Sequence, residues 1–154
     1  MQFADNLTVS EHSKDLQEIS INLSNTFRVI MNFCYEHELI VNANKTQLII
    51  FKVPGKKIPN DFEVFLDNCA IKPASSVKLL GVTLDRHLTF GEHIDNTVKK
   101  CHGILGALTR ASPFLPRDLL RLAYIALVRS RLEYCSAAFA SASQSQLTKL
   151  DTIQ

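Results

Sequence analysis

Near the start of the chain, Phe3-Ala4-Asp5-Asn6 sets a carboxylate beside an amide inside a short apolar run. Asp and Asn both tolerate positive φ, so the pair suits a tight turn between two very short strands over residues 2–9. The same pair could offer one carboxylate and one amide oxygen to a divalent cation. Lys45 follows an Asn-containing turn and is either a phosphate-facing cation or a solvated loop lysine. Gly81 stands between two β-prone stretches, where it permits a bend or lets the backbone approach a ligand. Arg110, Arg117, Arg121, Arg129 and Arg131 can track a phosphate backbone, or simply cover the outer faces of amphipathic helices. His12, His37, His87, His93 and His102 show no HExxH or other ligand spacing and read as surface or satisfied residues. No GxxxxGK[ST] and no GxSxG occurs.

The 154 residues suffice for one domain or one and a half. At 46% hydrophobic and 21% charged the composition is that of a globular chain, not a disordered one. No apolar run approaches the ~20 residues of a membrane helix. Nor is there a basic flank followed by an apolar core at the N-terminus, so the nucleus or cytoplasm is the default location. Cys34, Cys69, Cys101 and Cys135 are widely spaced without CxxC, which favours free buried thiols over zinc or a disulfide framework. Charge is uneven. Residues 1–77 hold 7 Lys+Arg against 9 Asp+Glu, and residues 78–154 hold 10 against 6. The mildly basic second half fits a surface that meets nucleic acid.

These groups need elements to position them. Leu16, Ile19, Leu23, Phe27, Ile30 and Cys34 recur at steps of three and four, which predicts a helix over 13–37 with Ser13 as N-cap. Gln47 to Phe51 has the dense apolar character of a buried strand. Phe62 to Leu66 and Ala70 to Lys72 read as strands around an Asp67-Asn68 turn, and Val77 to Asp85 as two stretches around Gly81. From there on the period is helical. Ile94, Val98, Cys101, Leu105 and Leu108 mark one face. After breaks at Pro113 and Pro116, the expected buried side is Leu119, Leu120, Ala123, Leu127, Val128 and Leu132. Ser141 to Ser145 reads as a linker before a last helix near Gln146, with Leu147, Leu150 and Ile153 apolar. Strands followed only by helices predict an α+β fold with a helical subdomain.

Taken together, FADN-L-T-V-S, the long helix, V-N-A-N-K-T-x-x-I-I-F, and V-K-L-L-G-V-T-L-D-x-x-L-T-F-x-x-H-I closely resemble the reverse transcriptases of non-LTR retrotransposons, jockey-like elements in particular. The resemblance continues through the basic helices to L-T-K-L-D-T-I-Q. It implies a partial polymerase palm over 1–90, a short antiparallel sheet with a long helix, and an all-helical thumb over 91–154. Asp5 falls on the first carboxylate of the family's palm hairpin, which helps hold two Mg²⁺ ions around the attacking 3′-oxygen and the leaving pyrophosphate. Asn6 falls on a second Asp and lacks its charge. Lys45 matches a lysine thought to assist nucleotide addition. Leu80-Gly81-Val82 matches the primer grip, and Lys99, Lys100, Arg110, Arg117 and Arg121 would lie along a duplex of RNA template and DNA primer.

The family's fingers and its earlier palm aspartate would fall before Met1, and nothing after Asn6 resembles that aspartate's strand. Two Mg²⁺ ions bring four positive charges, which Asp5 alone does not organise. The expectation is therefore the C-terminal part of a polymerase module, inactive alone and without stably bound Mg²⁺. The alternatives are a non-enzymatic nucleic-acid-binding module and an interaction remnant. None of these readings places the chain in a membrane.

Overall fold

A computed structural model describes residues 2–3, 6–53, 55, 57–59, 61–66 and 69–153, the side chains of residues 2, 3 and 6 excepted. The described residues form an α+β fold whose sheets are two-stranded and antiparallel. Contacts divide the chain into two compact units, Met1–Ile50 with Gly55–Ala74, and Phe51–Pro54 with Ser75–Gln154.

In the first unit, β1 (Gln2–Phe3) pairs with β2 (Asn6–Leu7) through Gln2↔Leu7 and Phe3↔Asn6. Asn6 thus stands in a strand, not in the turn. Helix α1 spans Leu16–Glu36. Its N-cap is Asp15, whose carboxylate accepts from Gln17 N at 2.9 Å. Ser13 sits two residues outside, its hydroxyl accepting from Asp15 N and donating to Glu18. The expected cap is therefore displaced by the better acceptor. The predicted face holds: Leu23 is buried, and Leu16, Ile19, Phe27, Ile30 and Cys34 are half-buried. That face meets β3 (Val64–Leu66), which pairs with β4 (Cys69–Ile71) from Val64↔Ile71 to Leu66↔Cys69. Val64, Leu66 and Ile71 are buried. The Asp67-Asn68 turn lies outside the described residues. The strand expected at Gln47–Phe51 does not form. Leu48 makes one isolated parallel bridge to Pro73, and Leu48 O accepts from Ala74 N at 2.8 Å. Pro73 has no N–H to extend that ladder.

The second unit starts from a hairpin, β5 (Ser76–Leu79) and β6 (Val82–Asp85), in register Leu79↔Val82 through Ser76↔Asp85. Residues 86–90 then turn the chain into α2 (Gly91–Ala111). Asp85 organises this elbow. Its Oδ1 accepts from His87 N (2.9 Å) and Thr89 N (3.1 Å), and its Oδ2 from Phe90 N (2.8 Å) and Thr89 Oγ1 (3.0 Å). Burial works against the charge, but these four donors outweigh it and hold the carboxyl below its ordinary value.

The predicted face of α2 is borne out, with Ile94 and Cys101 fully buried and Val98, Leu105 and Leu108 packed against the core. After a single 3₁₀ turn at Ser112–Phe114, α3 (Arg117–Tyr124) passes through a π segment, Ile125–Arg129, into α4 (Ser130–Glu133). Here the expected burial is corrected. Leu119 and Leu127 are exposed, whereas Leu120 and Tyr124 are half-buried and Val128 and Leu132 buried. A step of four residues drifts about 40° in a regular helix. The wider π turn absorbs that drift and keeps 120, 124, 128 and 132 inward. Then α5 (Ser136–Phe139) and α6 (Gln144–Asp151) close the core with Phe139, Ala142, Leu150 and Ile153. Ala142 lies inside the expected linker yet is buried, and α6 begins two residues before Gln146. All four cysteines are free, but only Cys101 is buried; Cys69 and Cys135 are exposed.

Asp85→Ala should lower stability by roughly 1–2 kcal/mol in urea unfolding, since it removes four hydrogen bonds and orphans the part-buried Phe90 N–H. Because the folded carboxyl lies below its ordinary value, its contribution is full above the ordinary aspartate range. It is lost as pH falls through the folded value. The variant should lose that part of the acid-side decline, and an unchanged acid limb would contradict this account.

Candidate nucleic-acid interface

Two residues make the turn between β5 and β6, Leu80 at φ 46° and Gly81 at φ 87°. Positive φ at both positions gives the twist a two-residue hairpin favours. Glycine adopts it freely, whereas Leu80 is strained. The turn is clamped from α4's end: Tyr134 donates its hydroxyl to Leu80 O at 2.7 Å. A Cβ on Gly81 would stand 3.3 Å from Tyr134 Cε1. Val82 is buried in the core, so its side chain holds the hairpin down and leaves the Leu80-Gly81 backbone at the tip.

Beside this tip lies a groove of about 290 Å³ lined by Lys78, Gly81, Thr83, His93, Asn96, Thr97 and Lys100. Two elements build it. The hairpin supplies Lys78 and Thr83, and α2 supplies His93, Asn96, Thr97 and Lys100. His93 is buried, its Nδ1 accepting from Thr83 N at 3.4 Å and its ring tilted against Phe139 with centroids 5.4 Å apart. Burial foremost, then the charges of Lys100 and Lys78, hold His93 below the usual imidazole value, so it is neutral near pH 7. A neutral ring that accepts at Nδ1 carries its proton on Nε2.

The sequence-derived candidates fall in different places. Gly81 and Lys100 meet at the groove. Lys99, one residue earlier, is turned about 100° away and shares a face with Arg110, about 16 Å along α2. The Arg110 guanidinium reaches back to within 3.6 Å of a Cβ position at Gly106. Arg117 and Arg121, four apart, share a face of α3. All five basic residues are exposed. Lys45 is exposed at the end of a 3₁₀ turn, Ala43–Lys45, in the first unit. Asp5 lies outside the described residues. Among the described residues no group of three or more His, Cys, Asp or Glu side chains comes together to hold a metal ion.

The sequence reading takes His93 as a surface or satisfied residue and gives Lys78, Thr83 and Tyr134 no role of their own. Lys78 and Thr83 stand directly opposite each other in the hairpin, so alternation places them on one face. Tyr134, more than fifty residues away, gives no local signal.

Among curated proteins the chain is similar to a probable RNA-directed DNA polymerase from transposon BS of Drosophila melanogaster, 28% identical over 100 residues. The match takes in 65% of this chain and 11% of that polymerase, a distant relationship at the level of a fragment. No family model and no solved structure matches. Among the described residues no helix is long and apolar enough to cross a membrane.

Gly81→Ala should destabilise the chain by about 1–2 kcal/mol, from the left-handed backbone and the contact with Tyr134. Tyr134→Phe should cost about 0.5–1.5 kcal/mol. Since the two share one contact, their double variant in urea unfolding should be non-additive by at least ~0.5 kcal/mol. Strict additivity would mean that Tyr134 does not clamp the turn.

Proposed function

We propose that this chain is palm and thumb from a reverse transcriptase of a non-LTR retrotransposon, and that its 154 residues grip a template–primer duplex. The parent reaction is RNA-templated addition of deoxynucleotides to a primer 3′-end. In this reading residues 1–90 are palm and 91–154 thumb, the Leu80-Gly81 tip is the primer grip, and Lys99, Lys100, Arg110, Arg117 and Arg121 follow the duplex backbone. Asp5 is a Mg²⁺ ligand, Asn6 a degenerate position beside it, and Lys45 an accessory to nucleotide addition. Within the 154 residues Asp5 is the one motif carboxylate, so the chain taken alone binds without catalysing.

The observation that carries this is the β5–β6 tip. It sets the exposed Gly81 turn, its Leu80 carbonyl tied to Tyr134, directly beside Lys78 and Lys100. The distant similarity to a transposon polymerase supports the same assignment. So does the charge of the second unit, whose α2 and α3 carry five exposed cations that join no ion pair among the described residues; the pairs there are Arg129–Glu133 and Lys149–Asp95.

An RNA–DNA hybrid should bind the purified chain with an affinity that falls steeply with salt, by roughly 0.7–0.9 in log slope per phosphate contacted. Charge reversal at Lys100, Arg117 and Arg121 should weaken binding at least tenfold and flatten that slope. Binding that ignores salt would remove the reading. The 154-residue chain should not incorporate dNTPs on an RNA template with Mg²⁺ in the buffer, and incorporation abolished by Asp5→Ala would overturn the claim that it only binds.

A further inference from the structure

The groove beside the Leu80-Gly81 tip combines features that an ordinary solvated surface does not need. Two ammonium groups line it, Lys78 from β5 and Lys100 from α2, and no carboxylate does. Among the described residues neither lysine is in an ion pair. Hydroxyls of Thr83 and Thr97 and the amide of Asn96 add neutral donors on the same lining. Gly81 lines the groove as well, and the missing Cβ makes room for the Tyr134 ring that fixes the turn. A volume of about 290 Å³ has room for one phosphate group with several waters at about 30 Å³ each.

We propose that this groove seats one phosphate oxyanion between Lys78 and Lys100, with His93 as a third partner that takes up a proton when the oxyanion binds. Where that phosphate belongs to a nucleic-acid backbone, the proposal rests on the function proposed above; where it is free phosphate, it does not. The coupling follows from what surrounds the ring. Lys100 on its own helix and Lys78 on β5 are the charged groups that face His93. Among the described residues the other packed elements bring the Thr83 N–H from β6 and the Phe139 ring from α5, neither of them charged. An anion between the lysines cancels the field that keeps the imidazole neutral. The added proton goes to Nδ1 and displaces the Thr83 contact, which at 3.4 Å is already long and weak. Affinity for phosphate therefore rises as pH falls through the imidazole range.

The test is a ring-resonance NMR titration of His93 in the full chain, at constant ionic strength, with potassium chloride, inorganic phosphate or a short RNA–DNA hybrid. Phosphate should move the His93 titration upward relative to chloride. In Lys78→Gln/Lys100→Gln, two exposed substitutions that leave the core untouched, the starting value should be higher and phosphate should no longer move it. The same double variant should lower the log–log salt slope of hybrid binding by roughly 1–2. A shift with both phosphate and hybrid supports the seat with a backbone phosphate as its ligand. A shift with inorganic phosphate alone supports an oxyanion seat and removes the backbone as its source. If the hybrid binds with its salt dependence but His93 does not move and the double variant binds as well as the parent, the seat is overturned while the duplex-binding function stands. A phosphate shift that persists in the double variant overturns the role of the lysines.

Discussion

The second unit turns on a single carboxylate. Between the end of β6 and the start of α2 the chain reverses through five residues, two of which, Leu88 and Phe90, hold φ above 50° without being glycine. Each such residue costs about 1 kcal/mol or more. Asp85 offsets the cost by collecting three backbone N–H groups and one hydroxyl onto its two oxygens, and the buried Phe90 ring adds its own anchoring. Phe90 offers no side-chain cap to α2, so the cap function passes to Asp85 and to Thr89, whose hydroxyl also lies 3.4 Å from Gly91 N.

What this elbow fixes is an angle. With Asp85 closing the loop, α2 leaves the hairpin so that Ile94 packs in the same cluster as Val82, and His93 stands against Thr83. The groove is the polar margin of that packing. Its two walls are the hairpin and the first three turns of α2, and they are held at one end by Asp85 and at the other by Tyr134 on the turn. A change in either tie alters the separation of Lys78 and Lys100, although neither Asp85 nor Tyr134 lines the groove.

How much of this could be read in the sequence follows from how local each determinant is. The inward faces of α1 and α2 were legible because a 3.6-residue period needs no knowledge of the partner, and Gly81 marked the hairpin for the same reason. The strand expected at 47–51 was not, because a strand is made by its neighbour, and the neighbour here is Pro73. The register of α3 into α4 failed at Leu119 and Leu127, since one π turn rephases everything after it. At the interface, the motif pointed to Leu80, Gly81 and Val82 but treated them alike. In the fold Val82 is core, Leu80 is half-buried with its carbonyl tied to Tyr134, and Gly81 is exposed. Lys99 and Lys100 are neighbours in sequence, but a helix sends adjacent residues in different directions.

That last separation bears on what a duplex would meet. A groove that holds one phosphate fixes position along a backbone, whereas exposed cations on open helix faces contribute attraction without register. In the proposed reading Lys100, which lines the groove, makes the first kind of contact and the exposed Lys99, Arg110, Arg117 and Arg121 the second. The distinction matters because long-range attraction is screened within about 10 Å at ordinary salt. A lysine facing its counter-charge across a small, partly buried cavity is screened less. A chain that grips a primer therefore needs few seated cations and tolerates loss among the rest. In the proposed reading the seated ones are Lys78 and Lys100, the two charges that act on the buried His93 ring.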